Sequence, residues 1–183
     1  MAKVKIQGHA SGTGVLTVTA PNTSSDRTIT LPDATGTLLN SDGDGSSLTY
    51  DATPDSDHTA SGPQTNTLAS GYSSAIMDLV YLGTGGKWLE ADADATGTSI
   101  NLLGIALEAK TDTQAMNVAL PGSFVRDDSW SFGVGVPLYV SGTLGAITAT
   151  KPTGSGDVVR TVGYSLSATT IFFDPSSDYV TLA

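Results

Sequence analysis

Asp157-Val-Val-Arg-Thr-Val-Gly-Tyr-Ser-Leu-Ser-Ala-Thr-Thr-Ile-Phe-Phe-Asp-Pro-Ser-Ser-Asp-Tyr-Val-Thr-Leu182 holds the densest β-branched and aromatic content in the chain, and turn residues cut it into three pieces. Residues 158–166 predict one strand, Ser167-Ala168 a tight connection, residues 169–173 a second strand, Asp174-Pro175-Ser176-Ser177 a turn and residues 178–182 a third strand. Three such strands in succession predict a meander. In the last piece Tyr179, Thr181 and Ala183 alternate with Val180 and Leu182, so one face can be apolar and the other polar. This segment is expected to be tied into a sheet.

Working outward, residues 69–183 repeat the pattern. Strand candidates run through 76–82, 88–89, 101–107, 116–120, 123–125, 137–140 and 146–150. Gly83-Thr-Gly-Gly86, Pro121-Gly122, Ser141-Gly-Thr-Leu-Gly145 and Pro152-Thr-Gly-Ser-Gly156 separate them. Short strands at this spacing, with Gly and Pro between them, predict an antiparallel β-sandwich or small barrel. Apolar spacing in residues 70–82 fits helix or strand, and strand is the reading taken.

Composition agrees. Charged residues make up only 14% of the chain, whereas there are 26 Thr, 21 Ser and 21 Gly, types that suit pleated half-buried surfaces and turns. The 39% hydrophobic content suffices for a packed core in one or two domains. A formal charge of −10 would repel a phosphate backbone, which argues against nucleic acid as a partner. With no cysteine there is no disulfide, thiolate metal site or Cys nucleophile. The opening Met1-Ala-Lys-Val-Lys-Ile-Gln-Gly-His9 lacks the apolar run of a secretory signal, and no stretch reaches the roughly 20 apolar residues of a membrane helix, so neither secretion nor membrane insertion is expected.

Residues 1–39 read as a small β-module. Val15-Leu-Thr-Val-Thr-Ala20 alternates, Pro21-Asn-Thr-Ser-Ser-Asp26 is turn chemistry, and Arg27-Thr-Ile-Thr-Leu31 alternates again before Pro32-Asp-Ala-Thr-Gly36. Few large apolar residues are available for its core. Two or three isolated strands are marginal in water, so the module is expected to need a partner surface. Val15, Leu16, Val18, Ile29, Leu31 and Leu38 are the residues expected to form that assembly interface. Residues 40–68, with five aspartates and two prolines but little that is apolar beyond Leu48 and Tyr50, read as an acidic linker or extended arm.

Two segments resemble proteins of tailed bacteriophages. Residues 14–22 followed by Thr28-Ile-Thr-Leu-Pro-Asp-Ala-Thr-Gly-Thr-Leu38 resemble a segment common in tail-fibre and other virion proteins. Leu103-Gly-Ile-Ala-Leu107, Pro137-Leu-Tyr-Val-Ser141, Gly156-Asp-Val-Val-Arg-Thr-Val-Gly163 and Phe172-Phe-Asp-Pro-Ser176 look like a C-terminal β-domain of virion, head-decoration or fibre proteins. The resemblance implies a structural component of the virion, assembled in the host cytoplasm. Such a capsid decoration or head-fibre protein would be a homotrimer contacting a major capsid protein or a tail component. A tail-fibre or adaptor protein that binds host surface glycan is the alternative, and a polysaccharide-degrading enzyme is disfavoured.

The residues themselves offer little catalytic pattern. A glycosidase needs two carboxylates facing each other across a cleft, one with a raised pKa. Asp78, Glu90, Asp92, Asp94, Glu108, Asp112, Asp127 and Asp128 supply raw material, yet no spacing singles out a pair, and most sit in the Gly, Ser and Thr context of solvated loops. A Ser-His-Asp system would have to use His9 or His58, both in segments poorly suited to holding an imidazole. Asp42-Gly-Asp-Gly-Ser-Ser47 resembles the start of a calcium loop, but Ser47 stands where the loop has its glycine and Thr53 where it has its closing Glu. Asp92 and Asp94 alternate and could face a cation. Trp88, Trp130, Phe132, Tyr139, Tyr164, Phe172, Phe173 and Tyr179 suit a sugar-binding face, though core or interface is the favoured use of aromatics at strand spacing. No catalytic residue, cofactor or metal site is expected.

Overall fold

The computed structural model describes residues 50–183, all in a unit spanning Ser46–Ala183. The N-terminal module of residues 1–39, its six assembly residues Val15, Leu16, Val18, Ile29, Leu31 and Leu38, and residues 40–49 of the acidic arm lie outside the described residues.

The regular structure among the described residues is almost entirely antiparallel β. One sheet has six strands in the order β1 (Thr59–Ser61), β7 (Ser123–Arg126), β12 (Thr170–Phe173), β11 (Thr161–Ser165), β8 (Pro137–Val140) and β9 (Ile147–Thr148). A second has five, in the order β2 (Gln64–Thr65), β6 (Val118–Ala119), β5 (Leu103–Ala106), β3 (Leu79–Leu82) and β4 (Trp88–Glu90). β10 (Val158–Val159) and β13 (Val180–Thr181) form a small third sheet, and α1 (Thr96–Ser99) is a single helical turn.

Alternation along these strands makes the core. Leu79, Leu103, Ile105 and Ala119 of the five-stranded sheet join Val125, Leu138, Val140, Val162, Ile171 and Phe173 of the six-stranded sheet in one buried cluster, which is the sandwich arrangement. Burying each large side chain of this kind contributes about 1.5–3 kcal/mol. The five-stranded sheet buries its other face as well, where Val80, Trp88, Ala106, Met116 and Val118 pack with Leu68, Tyr72, Leu82 and Leu120. β5 is therefore buried at all four positions, and its continuous apolar run follows from having a core on both sides.

The stretch 158–182 departs from a simple meander. β11 and β12 pair as expected, with Tyr164 opposite Phe172. The third strand does not continue beside β12; β13 crosses back to pair with β10, Val158 opposite Thr181. Arg160 is the reason that residues 158–166 are two strands rather than one. It is 7% exposed, and its guanidinium donates to the carbonyls of Ser99, Asn101 and Ser176, each at 2.7 Å. A buried cation must have its donors satisfied, and two separate chain segments, residues 99–101 and the turn at Ser176, are held to this one side chain. Its low dielectric surroundings lower the guanidinium pKa.

Part of the expected linker is also structured. Within residues 40–68, β1 edges the six-stranded sheet and β2 the five-stranded sheet, so the chain changes sheets across Gly62-Pro63. Edge strands take their stability from backbone pairing, which apolar content does not reveal. The return crossing, between β6 and β7, lies alongside, and Pro63 O accepts from Leu120 N–H and Ser123 Oγ, each at 2.9 Å. Gly62 has φ +138°, and a Cβ there would lie 2.6 Å from Ser123 Cα.

A second glycine fixes the central strand. The β8–β11 register shifts between Thr161 and Gly163, the mark of a bulge. Gly163 has φ +150°, and a Cβ there would stand 2.0 Å from the Phe172 carbonyl oxygen. Gly163→Ala is expected to cost about 3 kcal/mol or more, because strain and a backbone clash coincide, as measured by urea denaturation. A loss below about 1 kcal/mol would show that the β11–β12 pairing is not that close.

Candidate functional site

The outward face of the six-stranded sheet is the feature that the core leaves free. Where Val125, Ile171 and Phe173 turn inward, Phe124 and Phe172 must turn outward. Cross-strand register then sets Ser61, Phe124, Phe172, Tyr164 and Pro137 side by side in one row across five strands. The Phe124 and Phe172 rings lie 5.1 Å apart at 38°, a tilted aromatic pair. Tyr164 is 52% exposed, and Leu166 and Val134 also reach solvent. Thr59, Arg126 and Thr161 add polar groups to the same face.

The other aromatics divide cleanly. Trp88 and Phe173 are fully buried, so they are core and not surface. Trp88 Nε1 has no hydrogen-bond partner among the described residues. Trp130 and Phe132 lie 5.6 Å apart and pack against the main core. Tyr139 is half-buried and Tyr179 exposed. Phe124 was not singled out from the sequence, although the alternation in Ser123-Phe-Val125 carries the signal.

Tertiary structure sorts the eight candidate carboxylates into six settings. Asp78 and Glu90 come together: an added Cβ on Gly145 would lie 3.2 Å from Asp78 Oδ1 and 3.4 Å from Glu90 Oε1. Asp78 Oδ2 accepts from the Tyr72 hydroxyl at 2.8 Å and from Ala75 N–H at 2.7 Å. Burial, and then the Asp78 charge, raise the Glu90 carboxyl above its ordinary value; burial and the bond to Asp78 push the Tyr72 phenol far up. Exposed Asp94 is likewise raised, by partial desolvation and by Asp92 and Asp157. Glu108 is lowered by Asn117 N–H and Lys110, and Asp112 by Lys87. Asp128 is lowered by Arg126, whose Nε lies 2.7 Å from it.

The sixth setting unites Asp127 with Asp57 and His58, a grouping that sequence spacing did not suggest. His58 Nδ1 lies 3.4 Å from Asp57 Oδ2 and Nε2 lies 3.6 Å from Asp127 Oδ1. His9, Asp42 and Ser47 fall outside the described residues. Thr53, the position of the calcium loop's closing Glu, instead donates its N–H and hydroxyl to Asp51 Oδ1, a local turn. A shallow hollow of about 230 Å³ is lined by Gln64, Thr65, Asn66 and Asn117, side chains with amide or hydroxyl groups.

No helix among the described residues is long and apolar enough to cross a membrane. No protein-family model, no curated protein and no solved structure matches the chain.

Glu90 gives a pH test of this geometry. Its carboxyl binds a proton more tightly folded than unfolded, so it contributes stability at low pH that is lost as pH rises above its ordinary 4.5. Glu90→Gln is expected to be at least as stable as the parent at pH 7, with the difference shrinking below pH 4.5, in urea melts across pH. A variant less stable at pH 7 would show that the charged form is favoured by its surroundings.

Proposed function

We propose that the chain is a structural component of a tailed-bacteriophage particle, a capsid decoration or head-fibre protein that works by association. The observation that supports this best is the row Phe124, Phe172 and Tyr164, apolar surface turned away from both cores. Exposed aromatic surface of this kind is stabilised when another surface covers it, at about 25 cal/mol for each Å² removed from water. Its flat, strand-built form suits another β-rich surface.

The resemblance of residues 14–38 to phage virion segments supplies the class of particle. In this reading Val15, Leu16, Val18, Ile29, Leu31 and Leu38 make the assembly contact of the N-terminal module. Copies associate as a closed trimer, and the trimer seats on a capsid or tail protein in the virion. The outer edge strands β1, β2, β4 and β9 have only two or three residues each, which limits uncontrolled edge pairing and leaves specificity to the faces.

Two variants test this. Phe172→Asp and Leu31→Asp are each expected to retain the β-rich circular dichroism of the parent while lowering incorporation into particles at least tenfold, scored by quantifying the protein on purified virions. Parental incorporation of both variants would remove the proposal.

One observation favours a second reading, a tail-fibre or adaptor protein that binds host glycan. Tyr164 is half exposed beside Phe172 and Pro137, on a sheet face that also carries Thr59, Arg126 and Thr161, and aromatic faces with polar groups nearby suit sugar rings. Calorimetry against host surface polysaccharide is expected to give binding that Tyr164→Ala weakens at least tenfold; binding equal in parent and variant would place any sugar elsewhere.

A further inference from the structure

We propose that Asp57, His58 and Asp127 form a binding site for a first-row divalent ion of the zinc class. One donor atom from each of the three side chains lies within 4.8 Å of the other two. This inference does not rest on the virion reading.

The site follows from strand register. β1 and β7 pair with Thr59 opposite Arg126, so the residues just past the end of that ladder, His58 and Asp127, are brought alongside each other. Asp127 continues the inward face of β7 beyond Val125, and its side chain is 6% exposed. Asp57 and His58 cover it from the solvent side, with side chains 42% and 38% exposed, so an ion can enter from that side. His58 holds φ +56°, a left-handed conformation that places its ring between the two carboxylates.

The buried carboxylate is the independent observation. Burying an ionised carboxylate is costly unless it is paired or well hydrogen-bonded. Among the described residues, the Asp127 carboxylate accepts one hydrogen bond, from Ser129 N–H at 2.8 Å. The adjacent guanidinium does not serve it: Arg126 Nε and Nη2 donate to Asp128, and Nη1 to the Pro54 and Asp55 carbonyls. His58 approaches it without a hydrogen bond, since Nε2 stands 3.6 Å from Asp127 Oδ1. Only one ring nitrogen can hold the ion, so that nitrogen and the two carboxylate oxygens, within 4.8 Å of one another here, would draw in to about 3.3–3.6 Å around a tetrahedral zinc.

The donor set chooses the ion. An imidazole nitrogen with two carboxylate oxygens suits Zn²⁺, Co²⁺ or Ni²⁺, whereas calcium takes oxygen ligands alone. Asp57 Oδ1 already accepts Asp128 N–H at 2.7 Å, which orients its other oxygen. One ring nitrogen and two oxygens leave the remaining positions to water. An ion here would fasten edge strand β1 to β7 and add to the stability of the sandwich.

The test is zinc and cobalt titration of the metal-free full chain by calorimetry and by visible Co²⁺ absorption, with melting temperature as a second readout. One ion per chain, with a higher melting temperature, is the expected result. His58→Asn tolerates the left-handed backbone and is expected to weaken binding at least tenfold and abolish the cobalt spectrum, whereas His9→Asn binds as the parent does. Should His58→Asn fail to fold, the exposed Asp57→Asn is expected to show the same loss. No binding by the parent, undiminished binding by the folded variant, or calcium binding tighter than zinc would each overturn the proposal.

Discussion

Burial of two sheet faces against each other is the constraint from which the rest of this structure follows. Leu79, Leu103 and Ile105 from one sheet and Val125, Leu138, Ile171 and Phe173 from the other can leave water only by facing inward. Because side chains alternate along a strand, that choice fixes the opposite positions. Phe124, Phe172 and Tyr164 are turned outward by the same rule that turns Val125, Ile171 and Phe173 in. The outward aromatic row, with Phe124 and Phe172 half-buried and Tyr164 exposed, is thus a by-product of the core, aligned across strands by backbone register and not by contacts among the aromatics alone.

Polar devices complete what apolar burial leaves open. Arg160 gathers three carbonyls from two segments, closing a corner where the 158–166 run breaks and the end of α1 and the 174–177 turn converge. The Gly62-Pro63 crossing joins the two sheets at their edges through close backbone approach. Both places would be expensive without their hydrogen bonds, since buried backbone groups must find partners. Carboxylates are spread over the surface in small groups, some paired with Lys or Arg and some beside one another, as Asp78 and Glu90 are. The fold therefore carries its excess of acidic residues at different local potentials and not as one uniform acidic face.

Much of the sandwich was legible in the sequence. Gly and Pro punctuation separated the strands at 103–106, 123–126, 137–140 and 170–173, whereas the inward residues of these strands were not singled out. β1 and β2 were not legible, because Thr-Ala-Ser and Gln-Thr pair through backbone groups that any side chain permits. The fate of 158–182 was not legible either: which strand β13 joins depends on the Arg160 break and on the turn between, and no local propensity encodes that choice. The same limit applies to the sites. His58 and Asp127 are distant in sequence and meet only through the β1–β7 register, and Phe124 acquires its place in a row from two neighbouring strands.

The chain by itself determined that it would be β-rich, turn-punctuated and acidic, because β-branched content and turn chemistry act over a few residues, whereas the apolar face expected in residues 178–182 is not buried, with Tyr179 and Val180 exposed. Only the tertiary structure decided which strands are neighbours, which aromatics stand exposed together and which carboxylates share a setting. Those outcomes are set by long-range backbone pairing, whose register is fixed only when both sheets close over a common core.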